Sequence, residues 1–243
     1  MKNEYGLQMY SVRDLTQEHM REAIIEVGKL GYDYVEFAGF FDHTAEEIVS
    51  YMKEAGVKLS GTHSSVNDLV PEKLDETIAY HKAIGNTDYI IPGAKLESPA
   101  LIDEFVKIVN YAQPKLEAAG IQLGFHNHSK EFQVMYWGST IHSELEKRTK
   151  VHFQIDTFWA FNAGVDPIAL LDRLGSRVHV IHIKDGFLGG RGMALGEGEA
   201  PVALVHDYAE KHGIRMVVES ETLQPTGLEE VGRCIRYLKK LDA

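Results

Sequence analysis

Four segments in the second half of the chain are β-rich and end in side chains that bind cations. They are Ile121–His128 (IQLGFHNH), Val151–Asp156 (VHFQID), Val178–Asp185 (VHVIHIKD) and Arg215–Glu221 (RMVVESE). A strand that feeds a helix delivers its C-terminal residues to one rim of a parallel sheet. If that sheet closes into a barrel, Asp156, His182 and Glu219 converge on one point of the rim. Carboxylate oxygens with one imidazole suit a divalent metal ion. That arrangement suggests chemistry on a small polar substrate.

Each of these residues has a bland alternative. Asp156 follows Phe153-Gln154-Ile155 and precedes Thr157-Phe158-Trp159, so it is either a metal ligand or the N-cap of the next segment. His182 and Lys184 alternate with Ile181 and Ile183 and share one strand face. A lone inward histidine is usually a hydrogen-bonded core residue, but the company of Asp156 and Glu219 favours a ligand. Lys184 either binds a substrate hydroxyl or phosphate, or pairs with Asp156 or Glu219. Glu219 could ligate metal with one oxygen and act as a general base with the other. Glu221, two residues on, is expected in solvent. His126 and His128 alternate with Asn127 and could both face inward, and Glu131 could fold back as a fourth ligand. His63 and His128 could orient substrate hydroxyls or serve as structural hydrogen bonders. Glu36 could bind substrate or pair with a neighbouring Lys or Arg. Trp159, Phe158, Phe40 and Tyr10 could wall a pocket, although aromatics at such spacing more often pack.

Eight strands are expected to position these groups: residues 5–10, 34–37, 58–62, 89–92, 122–126, 152–156, 178–183 and 216–219. Amphipathic stretches at helical spacing lie between them. Met20, Ala23, Ile24, Val27 and Leu30 form the first, closed by Gly31. Thr44 with Glu47 reads as a capping box for the second, and Gly56 as its C-cap. Leu74 to Ile84 ends at Gly85, and Leu101 to Leu116 ends at Gly120. Residues 139–148 form a short fifth helix, Pro167 opens a sixth, Val202 to Ala209 continues the pattern, and Leu228 to Leu241 closes it. Strand–helix alternation forces right-handed parallel crossovers. Eight units in 243 residues predict an α/β fold, a single-domain (β/α)8 TIM barrel over residues 1–243. The glycine-rich piece Gly186–Pro201 is the longest irregular segment and is expected to be a functional lid.

The formal net charge of −11 argues against a surface that tracks nucleic-acid phosphates. Hydrophobic residues make up 44% and charged residues 25%, ordinary for a soluble globular protein. The single cysteine, Cys234, forbids an intramolecular disulfide, and its helical spacing with Val231, Ile235 and Leu238 makes it a buried apolar residue. The opening MKNEYGLQMY has no apolar h-region, so no signal peptide is expected. No apolar run approaches the roughly 20 residues that span a bilayer. The expectation is a cytoplasmic protein. Gly189-Gly190-Arg191-Gly192 lacks the spacing of a phosphate-binding loop, and no G-x-S-x-G elbow supports serine hydrolysis.

The chain resembles the sugar phosphate isomerase/epimerase family of xylose-isomerase-like TIM barrels over nearly its whole length. The residues that carry the resemblance are Gly6-Leu7-Gln8-Met9-Tyr10-Ser11-Val12-Arg13, Val35-Glu36-Phe37-Ala38-Gly39, Gly61-Thr62-His63, His126-Asn127-His128 with Glu131-Phe132, Asp156-Thr157-Phe158-Trp159, His182-Ile183-Lys184-Asp185 and Leu195-Gly196-Glu197-Gly198-Glu199. The resemblance implies a Mn, Mg, Co or Zn ion held by Glu, Asp, His and Glu from strands five to eight. Asp156, His182 and Glu219 match the last three positions. The first departs: His126 stands where many members carry Glu. The resemblance then implies that Glu131 supplies the missing carboxylate, with His126 the alternative ligand.

An ion bridging a carbonyl and an adjacent hydroxyl oxygen acidifies the intervening C–H. Glu219 would take that proton, and Glu131 or Lys184 would return it. Return to the same carbon from the other face epimerises; return to the neighbouring carbon isomerises. His63, His126, His128, Glu36 and Trp159 are the candidate substrate contacts. The expected function is therefore a divalent-metal-dependent isomerase or epimerase of a sugar or sugar derivative. It would take a small-molecule carbohydrate, with no nucleic acid or membrane partner, and homo-oligomers are common in such barrels by analogy. One alternative is a dehydratase of a cyclic polyol or related hydroxy-keto compound, which shares the proton abstraction. Others are a nuclease, which the acidic charge opposes, and a non-catalytic sugar-binding subunit.

Overall fold

The computed structural model describes residues 3–243. Eight parallel strands close into a barrel: β1 (Tyr5–Gln8), β2 (Tyr34–Phe37), β3 (Lys58–His63), β4 (Asp88–Ile91), β5 (Gln122–His126), β6 (His152–Asp156), β7 (Val180–Ile183) and β8 (Arg215–Val218). Each pairs with its neighbours in chain order, and β8 closes on β1. Helices follow the strands on the outside. All eight expected strands are present; β2, β5 and β6 have the expected bounds and the other five have shifted ends. β1 stops at Gln8 rather than Tyr10, because the Gln8 side chain accepts the Tyr10 N–H (3.1 Å) and the chain turns into the 3-10 segment Met9–Val12.

The helix signals act as their chemistry requires. Thr44 and Glu47 form a reciprocal capping box at the start of helix Ala45–Ala55, and Gly56 ends it at φ +71°, a conformation that costs glycine nothing. Pro167 opens helix Pro167–Leu174 beneath the N-cap Asp166. The core lies between strands and helices. Leu7, Val35, Phe37, Leu123, Phe125, Ile155, Ile181 and Val218 are all buried there.

Inside the barrel the composition changes along the axis. The lower interior is apolar: Ile90, Val180 and Val217 form a small cluster of their own. Gly61 and Gly124 make room for Ile90, since a Cβ at either would lie 3.3 Å from its side chain. The upper interior is polar, holding Gln8, Glu36, His126, Gln154, His182 and Lys184, all buried. Register sets their level. Gln8 is opposite Glu36, His126 opposite Gln154, and Asp156 opposite His182. Val218 is opposite Ile183, so Glu219 stands beside Lys184. Among the described residues, no helix is long and apolar enough to cross a membrane.

Residues 186–201, expected as a lid, are tied down by one side chain. Residues 185–186 form a short antiparallel ladder with 192–193. The Asp185 carboxylate accepts N–H groups from Gly186, Gly196, Gly198 and Ala200 at 2.8–3.1 Å. Gly198 is required here, because a Cβ would fall 2.3 Å from an Asp185 oxygen.

Candidate active site

Four strand ends bring His126, Asp156, His182 and Glu219 together, with one donor atom from each inside a 4.8 Å group. All four side chains are buried. Asp156 carries both of its expected roles at once. Its Oδ1 accepts the Trp159 N–H (2.8 Å) and caps helix Thr157–Asn162, while its Oδ2 is buried without a hydrogen bond. The nearest cation to Oδ2 is the Lys184 ammonium at 3.7 Å, and a buried carboxylate oxygen without a hydrogen bond suits the role of metal ligand. Burial raises the Asp156 pKa to about 7, although Lys184 opposes the rise.

Glu36 organises the opposite side. Its Oε1 accepts from Gln8 Nε2 (2.6 Å) and His182 Nε2 (2.7 Å), and its Oε2 accepts from Gln154 Nε2 (2.6 Å). That fixes the Gln154 amide, whose Oε1 must then accept, from His63 Nε2 (2.7 Å) and from His126 Nδ1 (3.1 Å). With its hydrogen on Nδ1, His126 keeps Nε2 as a lone pair. With Nε2 donating to Glu36, His182 turns Nδ1 toward Glu219 Oε2 (3.2 Å). Burial alone would lower the His182 pKa, but Glu36 and Glu219 raise it to about 10. A bound ion would displace the Nδ1 proton. Burial holds His63 and His126 below the ordinary imidazole range.

Lys184 realises the ion-pair reading without excluding the substrate one. Its ammonium lies 3.2 Å from Glu219, 3.7 Å from Asp156 and 2.6 Å from Glu221, and 4.8 Å from the Trp159 ring centre. Burial pushes the Glu219 pKa up, but Lys184 and His182 outweigh it and hold this carboxylate ionised. Glu221 departs from expectation only in part: its side chain stays 28% exposed but pairs with Lys184 and lines the cavity above the site. Four carboxylates (Glu36, Asp156, Glu219 and Glu221) thus face two cationic side chains, and the surplus negative charge fits a divalent ion.

Glu131 takes a different place from the one expected, outside the four-donor group. It is buried in the 3-10 turn Ser129–Phe132, where Oε2 accepts the His128 N–H (2.8 Å) and Lys130 lies 3.9 Å from Oε1. Its nearest effect is to hold His128, whose ring lies 5.0 Å from His126 and 6.2 Å from Trp159. A cavity of about 330 Å³ opens above the donors, lined by Tyr10, Ala38, His63, Pro92, His126, His128, Glu219 and Glu221.

The family model described as xylose isomerase-like TIM barrel matches residues 24–241. The chain belongs to that family. Within this family of enzymes, one relative is the 2-oxo-tetronate isomerase of Haemophilus influenzae, 26% identical over 178 residues, which are 63% of this chain and 69% of that protein. A sugar phosphate isomerase/epimerase from Parabacteroides distasonis superimposes with a TM-score of 0.85 at 23% identity, covering 98% of both chains. A D-allulose 3-epimerase from Methylomonas sp. superimposes with a TM-score of 0.70 at 15% identity, covering 99% of this chain and 98% of that one. These structural likenesses speak for the barrel alone.

This xylose isomerase-like barrel also uses residues that sequence reasoning passed over. Gln8 and Gln154 were readable by strand alternation, since Gln154 shares a face with Asp156. Asn127 exchanges two hydrogen bonds with the Asp156 backbone (3.1 and 3.2 Å) and locks the fifth strand end to the sixth. Glu230 is buried in helix Gly227–Leu241 and accepts from Ser220 Oγ and from the N–H groups of Thr222 and Gln224, anchoring the segment that carries Glu219 and Glu221.

Proposed function

We propose that this chain is a divalent-metal-dependent isomerase or epimerase of a sugar or sugar derivative. The observation that carries the reading is the converging donor set, with the orphaned Asp156 Oδ2, beneath a cavity of small-sugar size. His126, Asp156, His182 and Glu219 would hold the ion. When bound, it supplies positive charge for the oxygens that become an enediolate.

The side chains divide the remaining work. Glu219, ionised and at the cavity wall, takes the proton from the carbon next to the carbonyl. Lys184 neutralises Glu219 in the resting site and donates toward substrate oxygen once substrate arrives. The Lys184 ammonium, 2.6 Å from the Glu221 carboxylate, returns a proton to carbon or oxygen. Glu36 and Gln154 hold His182, His126 and His63 in single orientations, so little reorganisation is needed during the reaction. Trp159 and Tyr10 limit access of water. The name of the sequence relative, an isomerase, supports the same class.

The test is to load the purified protein separately with Mn, Mg, Co and Zn and to incubate it with ketose and inosose panels in deuterated water. Proton NMR then reads both product and C–H exchange. Exchange with an isomeric or epimeric product is expected, and Glu219→Gln should lower it by about 100- to 10,000-fold with the fold intact by circular dichroism. Loss of water from an inosose would reassign the chain to the dehydratases. Unchanged turnover in Glu219→Gln, or turnover indifferent to chelation, would sink the reading.

A further inference from the structure

A second and larger cavity, of about 1030 Å³, adjoins the first and shares His63 with it. The two also meet along the chain, since Ala38 lines the inner cavity and Gly39 the outer. The outer walls are the loop after β2, the end of β3 and helix Leu74–Ala83. The inner cavity is the size of one small sugar, while the outer one offers about three times that room.

The outer cavity is built around aromatic rings. Phe40 packs on Tyr80 with ring centres 4.8 Å apart. Phe41 and Asp42 both hold positive φ, +47° and +64°, a conformation costly to any residue with a side chain. Phe41 as a whole is left 44% exposed at the cavity edge. Strained backbone that presents an apolar ring to solvent gains nothing for the fold, and such strain collects at ligand contacts.

The charge around this cavity selects against anions. Asp42, Glu46, Asp68 and Glu76 line it, and the only Lys or Arg among the lining residues, Lys73, lies 3.1 Å from Asp68. A phosphate there would meet three uncompensated carboxylates. A flat, uncharged ring would instead cover Phe41 and leave the acidic rim hydrated.

We propose that the outer cavity is a second subsite, taking an uncharged ring attached to the reacting sugar, so that the substrate class is a non-phosphorylated glycoside whose reacting sugar keeps a free carbonyl. The attached ring is a further sugar or an aryl group, two sources with the same apolar-faced chemistry. The inference rests on the site reading above for where the reacting sugar sits.

Calorimetry on the metal-loaded wild type, Phe41→Ala and Phe41→Tyr tests it with four probes: methyl glucoside, a glucose disaccharide, p-nitrophenyl glucoside and glucose 6-phosphate. The disaccharide or the aryl glucoside should bind at least 5- to 10-fold tighter than methyl glucoside, the range expected for one added aromatic contact. Which of them binds tighter identifies the attached ring. Phe41→Ala should collapse that ratio toward one, and Phe41→Tyr should restore it. Glucose 6-phosphate should bind no tighter than methyl glucoside. Equal affinity for all uncharged probes, tightest binding of the phosphate, a ratio indifferent to Phe41→Ala, or no binding at all would each overturn the subsite. Solvent-deuterium exchange separates the two readings; it is read on a reducing disaccharide and on free ketoses, because the methyl and p-nitrophenyl glucosides are acetals with no carbonyl to acidify a C–H. A Phe41-dependent preference without exchange keeps the subsite and removes the isomerase, whereas exchange without the preference does the reverse.

Discussion

At the scale of single residues, the site depends on carboxylates and amides that each hold two partners. Asp156 caps a helix with one oxygen and leaves the other bare. Asp156→Asn should therefore separate its roles. An amide oxygen still caps, so thermal stability of the metal-free protein should change by less than about 1 kcal/mol. A divalent ion should raise the melting temperature of the wild type, through binding only to the folded state, and fail to raise that of the variant. Equal metal-induced shifts in both proteins would remove Asp156 from the ligand set. His126 and Glu131 form a second contrast. His126→Ala should weaken Mn binding by about 10- to 100-fold, measured by calorimetry. Glu131→Gln should leave that affinity unchanged and instead cost about 1 kcal/mol in chemical denaturation, because its oxygen braces the His128 turn. The reverse pattern would return Glu131 to the metal. Asp156, His182 and Glu219 were legible because each closes an apolar run at a strand end. The choice between His126 and Glu131 was not, since five residues of loop geometry decide it.

The elements were the most readable level, because capping and periodicity are local chemistry. Thr44 with Glu47, Pro167 and the glycines at 31 and 56 stop and start helices where their own side chains dictate. Less legible were the polar residues that helices bury. His142 in helix Ile141–Arg148 stacks between Phe132 and Phe153 at 4.9 and 4.5 Å, and its Nε2 has no hydrogen bond. Burial lowers its pKa to about 4, and lowers that of His81 likewise to about 4. Below pH 6.5 the unfolded chain gains a proton at each site that the folded chain refuses. Stability therefore falls as pH drops from 6.5 to about 4, by on the order of 3 kcal/mol per histidine. His142→Phe should preserve the stack, remove its share of the loss, and flatten the denaturation midpoint between pH 6.5 and 4.5. A pH dependence as steep as that of the wild type would refute this account.

For the whole molecule, the barrel separates stability from chemistry along its axis. The lower end carries Asp88, paired with His179 and held 3.9 Å from Arg215, at the starts of β4, β7 and β8. Asp88→Asn should cost about 1–3 kcal/mol of unfolding free energy while leaving turnover at the upper end unchanged; a fall in turnover equal to that of a site variant would contradict the separation. The sequence by itself determined the eight strand–helix units, the closed α/β barrel they imply, and the strand-end residues that face its mouth. Those follow from period-2 and period-3.6 patterns and from end signals, which act over a few residues. Only the tertiary structure decided which groups share a proton, a partner or a cavity. Glu36 reaches His182 across 146 positions, Gln154 orders three side chains from different strands, and Glu221 pairs with Lys184. These are through-space contacts set by barrel register and shear, and no local pattern along the chain encodes them.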